Sequence, residues 1–105
     1  MPAINWREAA RNDLLNILTY IAEDNPDAAL RLIDDIETLA GTLGDNPQAY
    51  RAGRITGTRE MVVRKNYIVV YTETPEAVDV LRVLHTAQAW PVSDTLIAMT
   101  ENWEE

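Results

Sequence analysis

The chain has 105 residues and a net charge of −8 at pH 7, so it is long enough for one domain with a buried core but not for two. It contains no cysteine, which excludes a disulfide framework and a thiolate metal site and fits a reducing cytoplasm. No apolar run approaches the roughly 20 residues of a membrane helix, and no apolar signal core opens the chain. We therefore expect a cytoplasmic protein without membrane contact.

Two helices are predicted in the N-terminal half. Residues 3–6 fit a short edge strand, although four residues do not define one. In the first helix, Leu14, Ile17 and Ile21 recur at helical spacing. The second begins with Asn25 as a cap and Pro26 at the first helical position. Its apolar stripe comprises Ala29, Leu32, Ile33, Ile36, Leu39, Ala40 and Leu43. A link this short predicts an antiparallel helical hairpin.

Three runs rich in β-branched and aromatic residues follow, at residues 59–64, 67–72 and 78–84. Lys65 and Asn66 separate the first two runs, and a segment containing Pro75 separates the last two. Such runs, broken by Asn and Pro, predict consecutive antiparallel strands. The predicted fold class is α+β, with the N-terminal antiparallel helical hairpin packed on a small antiparallel β-sheet.

The faces of this sheet depend on the first turn. A two-residue loop at Lys65 and Asn66 pairs Arg64 with Tyr67, and every second residue then shares a face. One face is apolar and needs the hairpin as its cover, whereas the other is aromatic and cationic and is where we expect a working site. The apolar face comprises Met61, Val63, Ile68 and Val70. The exposed face comprises Glu60, Val62, Arg64, Tyr67, Val69 and Tyr71.

A strip of basic residues lies just before and within the first strands. A globally acidic protein is a poor nucleic-acid binder, because Lys and Arg that neutralise phosphates supply much of that affinity. The strip therefore fits either a protein or short-RNA partner or a solvated hairpin edge. Arg54, between Gly53 and Gly57, lies on backbone that suits either a bound group or a plain turn. The strip comprises Arg51, Arg54, Arg59, Arg64 and Lys65.

No group of residues is self-evidently catalytic. His85 has neither a second histidine nor a cysteine with which to share a metal, so we expect no metal and no cofactor. Arg82 and His85 are three residues apart and face opposite sides of a regular strand, unless the strand ends or bulges near Leu84. Arg82 either joins the exposed face or forms a salt bridge within the fold.

The segments GRITGTRE, YIVVY and LRVLHTAQAWP follow the helical hairpin in that order. This combination resembles the RelE/ParE superfamily, the toxin halves of bacterial type II toxin–antitoxin modules found in plasmid stabilisation systems. The resemblance covers roughly residues 4–91 and implies the fold predicted above. It divides the chain into a single toxin domain at residues 1–91 and an acidic C-terminal tail at residues 92–105.

The resemblance leaves three possibilities for the function: two different activities, or an inactive relative. A RelE-like toxin is an endoribonuclease that cuts mRNA in the ribosome, for which the residues here would be Arg59, Arg64, Arg82 and His85. That branch commonly carries an arginine where this chain has Ile68. A ParE-like toxin blocks DNA gyrase by protein–protein contact, and the missing arginine and the acidic charge favour this branch. An inactive relative would only bind an antitoxin or regulate transcription with it.

Either activity implies a cognate antitoxin in a hetero-oligomer, with operator DNA contacted only through the antitoxin. Such partners lay an extended or helical segment over the toxin and bury apolar residues beside the sheet. The residues expected to bind the antitoxin or the target are Arg54, Arg59, Arg64, Tyr67, Tyr71, Arg82 and Trp90.

The tail lies outside the pattern that carries the resemblance. Ser93 is a suitable N-cap, and four apolar residues after it fit either a short C-terminal helix packed on the sheet or a frayed chain end. These residues are Leu96, Ile97, Met99 and Trp103.

Overall fold

Within residues 3–86 the order is one strand, two helices and then four strands. The computed structural model describes residues 3–86, so Trp90 and the predicted C-terminal helix lie outside the described residues. The helices are α1 (Glu8–Ala22) and α2 (Pro26–Gly41), followed by two 3-10 turns, Thr42–Gly44 and Pro47–Ala49. The strands are β1 (Ala3–Trp6), β2 (Arg51–Ala52), β3 (Arg59–Val63), β4 (Tyr67–Glu73) and β5 (Ala77–His85).

The helical hairpin forms as predicted. The side-chain oxygen of Asn25 accepts a hydrogen bond from the backbone N–H of Ala28 at 3.1 Å, and Pro26 begins α2. Leu39, predicted to be buried, lies at the margin of the apolar stripe and is 39% exposed. Among the described residues, neither helix is long and apolar enough to cross a membrane. The buried side chains of α2 recur every three or four residues, at Ala29, Leu32, Ile36 and Ala40.

The sheet has five strands in the order β1-β5-β4-β3-β2. The predicted meander is confirmed as the antiparallel strands β3, β4 and β5. The short edge strand expected at residues 3–6 is confirmed as β1, but the prediction of an antiparallel sheet headed by the helical hairpin is wrong, because β1 precedes the helices and pairs parallel with β5. That pairing joins Ala3 to Ala77, a separation that local sequence pattern does not encode.

The turn between β3 and β4 contains three residues instead of the predicted two. Val63 pairs with Tyr67, and both Arg64 and Lys65 have positive φ, at 53° and 67°. Neither position is a glycine, so the sequence carries no local signal of this left-handed backbone or of the longer loop. A one-residue shift in register moves the side chains of β4 to the opposite face of the sheet from the one predicted. The β4 half of each predicted face is therefore wrong, whereas Met61 and Val63 lie on the helix-covered face as predicted.

We call the face of the sheet that the helices cover the helix-side face, and it carries the main core. Val69 and Tyr71, predicted to be exposed, are both 0% exposed there. Residues of α1 and α2 pack against it, including Ala10 and Ile36. The buried strand residues of this core are Met61, Val63, Val69, Tyr71, Val78, Val80 and Val83.

The opposite face of the sheet, which we call the second face, carries a separate apolar cluster. A β-bulge contributes to it: Val70 pairs with Arg82 and Tyr71 with Val80, which leaves Leu81 as the extra residue. The cluster comprises Ile68, Val70, Leu81 and Leu84, with Ile55 packed against it.

Candidate functional site

The arginines of the basic strip form ion pairs with acidic residues of the same chain. Glu60, whose side chain is 1% exposed, accepts a hydrogen bond from the Arg51 guanidinium at 3.0 Å. The other oxygen of Glu60 accepts from the backbone N–H of Arg54 at 3.0 Å, with the Arg54 Nε 3.9 Å away. These contacts satisfy a carboxylate that would otherwise be costly to bury. Arg54 therefore helps to hold the connection before β3 against the sheet.

Arg59 and Arg64 also have carboxylate partners. Arg59 donates from Nε to Glu73 at 3.3 Å and from its guanidinium to the Tyr50 carbonyl at 2.9 Å. Arg64 donates from Nε to Asp35 of α2 at 2.7 Å, with a second guanidinium contact to the same oxygen. Because Arg64 lies in the β3–β4 turn, its ion pair ties that turn to the helical hairpin.

Arg82 forms an ion pair inside the fold, one of the two alternatives that the sequence allows. Its guanidinium donates to both carboxylate oxygens of Asp13, at 2.7 and 2.9 Å, and the two side chains are only 18% and 13% exposed. Asp13 also accepts the backbone N–H of Val83 at 2.9 Å. The last residue pair between β1 and β5 is Trp6 with Val80. Beyond that pair, the Asp13 carboxylate satisfies a backbone N–H of β5.

Tyr71 is a core residue and not part of a surface. Its hydroxyl donates to the Pro47 carbonyl, and its ring packs edge-on against Tyr50 with centroids 6.5 Å apart. Burial raises the pKa of Tyr71 to about 12, an effect that the nearby Arg59 opposes and the Glu73 carboxylate reinforces.

The remaining aromatic candidate, Tyr67, lines an open groove of about 520 Å³ between α1 and the ends of β4 and β5. The strand register places Tyr67 opposite His85, and their rings meet edge to face with centroids 5.2 Å apart. Tyr20 of α1 completes the aromatic lining and is 77% exposed. The lining residues are Asn16, Ile17, Tyr20, Ile21, Tyr67 and His85.

Sequence reasoning missed the α1 side of this groove. The spacing predicts Ile17 and Ile21 as part of a helical stripe, and Asn16 and Tyr20 follow the same four-residue spacing beside it. The sequence signal that could find Tyr20 is an aromatic residue placed beside, and not within, the apolar stripe of α1.

The four residues suggested for RNA cleavage are not gathered in one place. Arg59 pairs with Tyr71 and His85 pairs with Tyr67, so these positions are four residues apart along β4, roughly 13 Å at about 3.3 Å per residue. Arg64 and Arg82 are held by Asp35 and Asp13, on different helices. Within residues 3–86, no cluster of three or more His, Asp or Glu side chains could hold a metal ion.

A family model and a curated relative both match most of this chain. The family model described as "ParE toxin of type II toxin-antitoxin system, parDE" matches residues 4–90. A curated relative from Sinorhizobium fredii, named "Putative toxin Y4kP", is 39% identical over 89 residues, which is 84% of this chain and 92% of that protein.

Two solved structures share the fold. The structure titled "Chromosomal ParDE TA system from P. aeruginosa" superposes with a TM-score of 0.72 and 22% identity, over 81% of this chain and 96% of that one. A conserved hypothetical protein from Helicobacter pylori, HP0894, gives a TM-score of 0.53 and 18% identity, over 84% and 98% of the two chains. The match of the family model and the identity to the curated relative show that this chain belongs to the ParE toxin family of type II toxin–antitoxin systems.

Proposed function

We propose that a cognate antitoxin neutralises this toxin and that the free toxin arrests growth by blocking DNA gyrase through protein–protein contact. The proposal rests on the kinds of side chain that are exposed at the candidate site. The groove beside α1 is lined by aromatic and aliphatic side chains, while the arginines of the basic strip already hold carboxylates. Such a surface suits a partner's apolar side chains better than a phosphate backbone.

The groove has the features of a protein contact site. Tyrosine supplies a large contact area at little conformational cost and is enriched among the residues that dominate binding energy. Tyr67 is half-buried and held by the His85 ring, so it is preorganised, whereas Tyr20 projects into water beside it. We assign to this groove the apolar anchor of the antitoxin or of the target.

Charged residues around the sheet would add specificity. Arg54 and Arg64 each keep 46% of their side chains exposed, so both can approach acidic groups of a partner while retaining their internal contacts. Contact with operator DNA would then be made by the antitoxin, since the toxin itself carries a net charge of −8.

The alternative activity is ribosome-dependent mRNA cleavage. That chemistry needs one group to activate the ribose 2′-OH and a cation beside the scissile phosphate, close together. His85 and Tyr67 are adjacent, but Arg59 lies at the other end of the sheet and Arg64 is paired with Asp35. This separation of the groups that RNA cleavage would need supports DNA gyrase, and not mRNA, as the target.

Purified toxin released from its antitoxin would be assayed for inhibition of gyrase supercoiling and, in parallel, for mRNA cleavage on translating ribosomes. We expect inhibited supercoiling with intact message. Cleaved message with normal supercoiling would refute the gyrase assignment. If the protein does neither but still binds its antitoxin, it is an inactive relative that serves only in antitoxin binding and co-regulation.

Substitution in the groove tests the contact site separately. Tyr20→Ala should weaken binding of the antitoxin or gyrase by about tenfold or more, the effect of losing a central aromatic contact. Leu30→Ala is the matched control, since Leu30 is also an exposed apolar side chain, 61% exposed, but does not line the groove. Equal affinities of the two variants for both partners would rule out this groove as the contact site.

A further inference from the structure

The outer surface of the helical hairpin carries apolar side chains that the core does not use. Leu15 of α1 and Leu30 of α2 are 59% and 61% exposed. Other apolar residues accompany each of them at the three- and four-residue spacings that keep side chains on one side of a helix. We call this set the hairpin patch. It comprises Leu15, Leu18 and Ala22 on α1 and Pro26, Leu30 and Ile33 on α2.

Contacts with the sheet and the groove show which flank of each helix faces outward from the hairpin. On α1, Asp13 reaches Arg82 of β5, and Tyr20 lines the groove. On α2, Asp35 reaches Arg64 in the β3–β4 turn. Because β5 and β3 lie on opposite sides of β4, these contacts mark the two outer flanks of the hairpin. At about 100° per residue, the patch residues lie on the other flank of each helix, so the two halves of the patch meet along the line between α1 and α2.

The hairpin patch is nearly symmetric about that line. Residues equally far from the hairpin link lie roughly level, because the two helices are antiparallel, and this places Leu18 beside Leu30. At the open end of the hairpin, Arg11 of α1 and Glu37 of α2 are also level with each other, and both are exposed. The ion pairs among residues 3–86 involve neither of these two side chains. The patch therefore ends in one positive and one negative group that the fold does not use.

We propose that the hairpin patch is a self-association surface, on which two copies of this chain form a weak symmetric dimer. A two-fold axis along the line between α1 and α2 places α1 of one copy over α2 of the other, so apolar side chains meet apolar side chains. The same axis places Arg11 of each copy over Glu37 of the other, so the charges are complementary twice. Facing helices then run antiparallel, as they do in a four-helix bundle.

The area of the patch sets the strength of the dimer. Helices of 15 and 16 residues are about 22 and 24 Å long, and packed helices lie about 10 Å apart, so the outer face of the hairpin covers roughly 400 Å². Exposed apolar patches of this size are often functional. Two such faces bury roughly 800 Å², which is less than the roughly 1,200 Å² of a standard stable interface. We therefore expect a dissociation constant on the order of 10–100 µM.

The inference goes beyond the proposed function and can fail independently of it. Tyr20 lies on the side of α1 opposite the hairpin patch, so the dimer leaves the groove open. At nanomolar toxin, where the dimer is dissociated, substitutions in the patch should leave the affinities for antitoxin and gyrase unchanged. Failure of the gyrase proposal would not affect the dimer, and the two results are read in different assays.

The experiment is analytical ultracentrifugation of the full-length toxin released from its antitoxin, over about 1–200 µM protein. The mass of the wild type should rise with concentration from 11.8 kDa towards twice that value. Leu15→Asp and Leu30→Asp should each weaken the dimer by about tenfold or more, because they bury a charge in the interface. Leu39→Asp is the matched control, since Leu39 is an exposed leucine on the Asp35 flank of the same helix, and it should dimerise like the wild type. Circular dichroism would check that each variant is folded.

Exchanging the charges tests the arrangement of the two copies. Arg11→Glu alone and Glu37→Arg alone each place two like-charged pairs in the dimer, so each should weaken it by about threefold or more. An equimolar mixture of these two variants should form a heterodimer with nearly the affinity of the wild type, because opposite charges then face each other in both pairs. A contact within one chain predicts no such rescue.

Three results would overturn the proposal: a wild type that stays monomeric over the whole range, equal dimerisation of Leu30→Asp and Leu39→Asp, or no heterodimer on mixing the charge variants. The antitoxin is the other candidate occupant of the patch. If Leu15→Asp weakens antitoxin binding by a toxin that is monomeric at every concentration, the patch belongs to the antitoxin and self-association is refuted.

Discussion

Removing the carboxylate of Asp13 should be among the most damaging single changes in this fold. Asp13→Ala deletes the acceptor of two bonds from Arg82 and one from the Val83 N–H. Breaking a buried pair from one side costs about 3–5 kcal/mol, because a buried charge loses its partner. The side chains keep 13% and 18% exposure, so water can partly solvate Arg82 and the lower end of that range applies, about 3 kcal/mol.

A loss of about 3 kcal/mol is a large share of the roughly 5–15 kcal/mol that stabilises a domain of this size. It should lower Tm by about 12–24 °C. The measurement is urea denaturation followed by circular dichroism, with the free energy of unfolding compared at a constant m-value. Asp13→Asn, whose remaining oxygen at the Oδ2 position can accept from two of the three donors, should lose less than Asp13→Ala.

Two further variants separate the ion pair from a general effect of lost charge. Asp34→Ala removes an exposed carboxylate from α2 and should change stability by less than about 0.5 kcal/mol. Adding Arg82→Met to Asp13→Ala should recover part of the loss, because no unpaired cation then remains buried. If Asp13→Ala costs less than about 1 kcal/mol, or if the double variant is no more stable than the single one, the reasoning about this pair is wrong.

Three other expectations concern stability. Because the pKa of Tyr71 is raised from 10.0 to about 12, the folded state keeps the phenol proton after the unfolded chain has lost it. Stability should therefore fall between pH 10 and pH 12, by about 2 kcal/mol from this group, and a Tyr71→Phe variant titrated in parallel should lack that slope. Gly53→Ala should destabilise by about 1–3 kcal/mol, since a Cβ there would lie 2.1 Å from the Thr58 hydroxyl, and adding Thr58→Ala should restore part of it in thermal melts. Gly41→Ala, at the helical end of α2 with no atom within 4 Å of the new Cβ, should instead stabilise by about 0.5–1 kcal/mol, and a lower Tm would contradict this.

Local chemistry determined the elements of this fold. The Asn25 and Pro26 pair begins α2 because one side chain satisfies a free N–H and the other has its φ already set for a helix. The β-branched and aromatic runs produce β3, β4 and β5 within a residue or two of the predicted ends. Both signals act over a few residues, so they can be read without knowing the rest of the chain.

The faces of the sheet and the pairing of its charges required the tertiary structure. One extra residue in a turn without glycine reversed the side to which β4 presents its side chains, because the period of a strand is two. The salt bridge from Arg82 to Asp13 joins residues 69 positions apart, so no local pattern predicts it. These contacts also change which residues are candidates for function. The sequence points to a cationic face of the sheet, whereas the structure points to an aromatic groove beside α1. Sequence by itself determined both helices, the strands β3, β4 and β5 and the toxin family that their motifs resemble, since propensity and motif are local properties. Only the tertiary structure decided which side chains reach the surface, since exposure depends on register and on packing between distant segments.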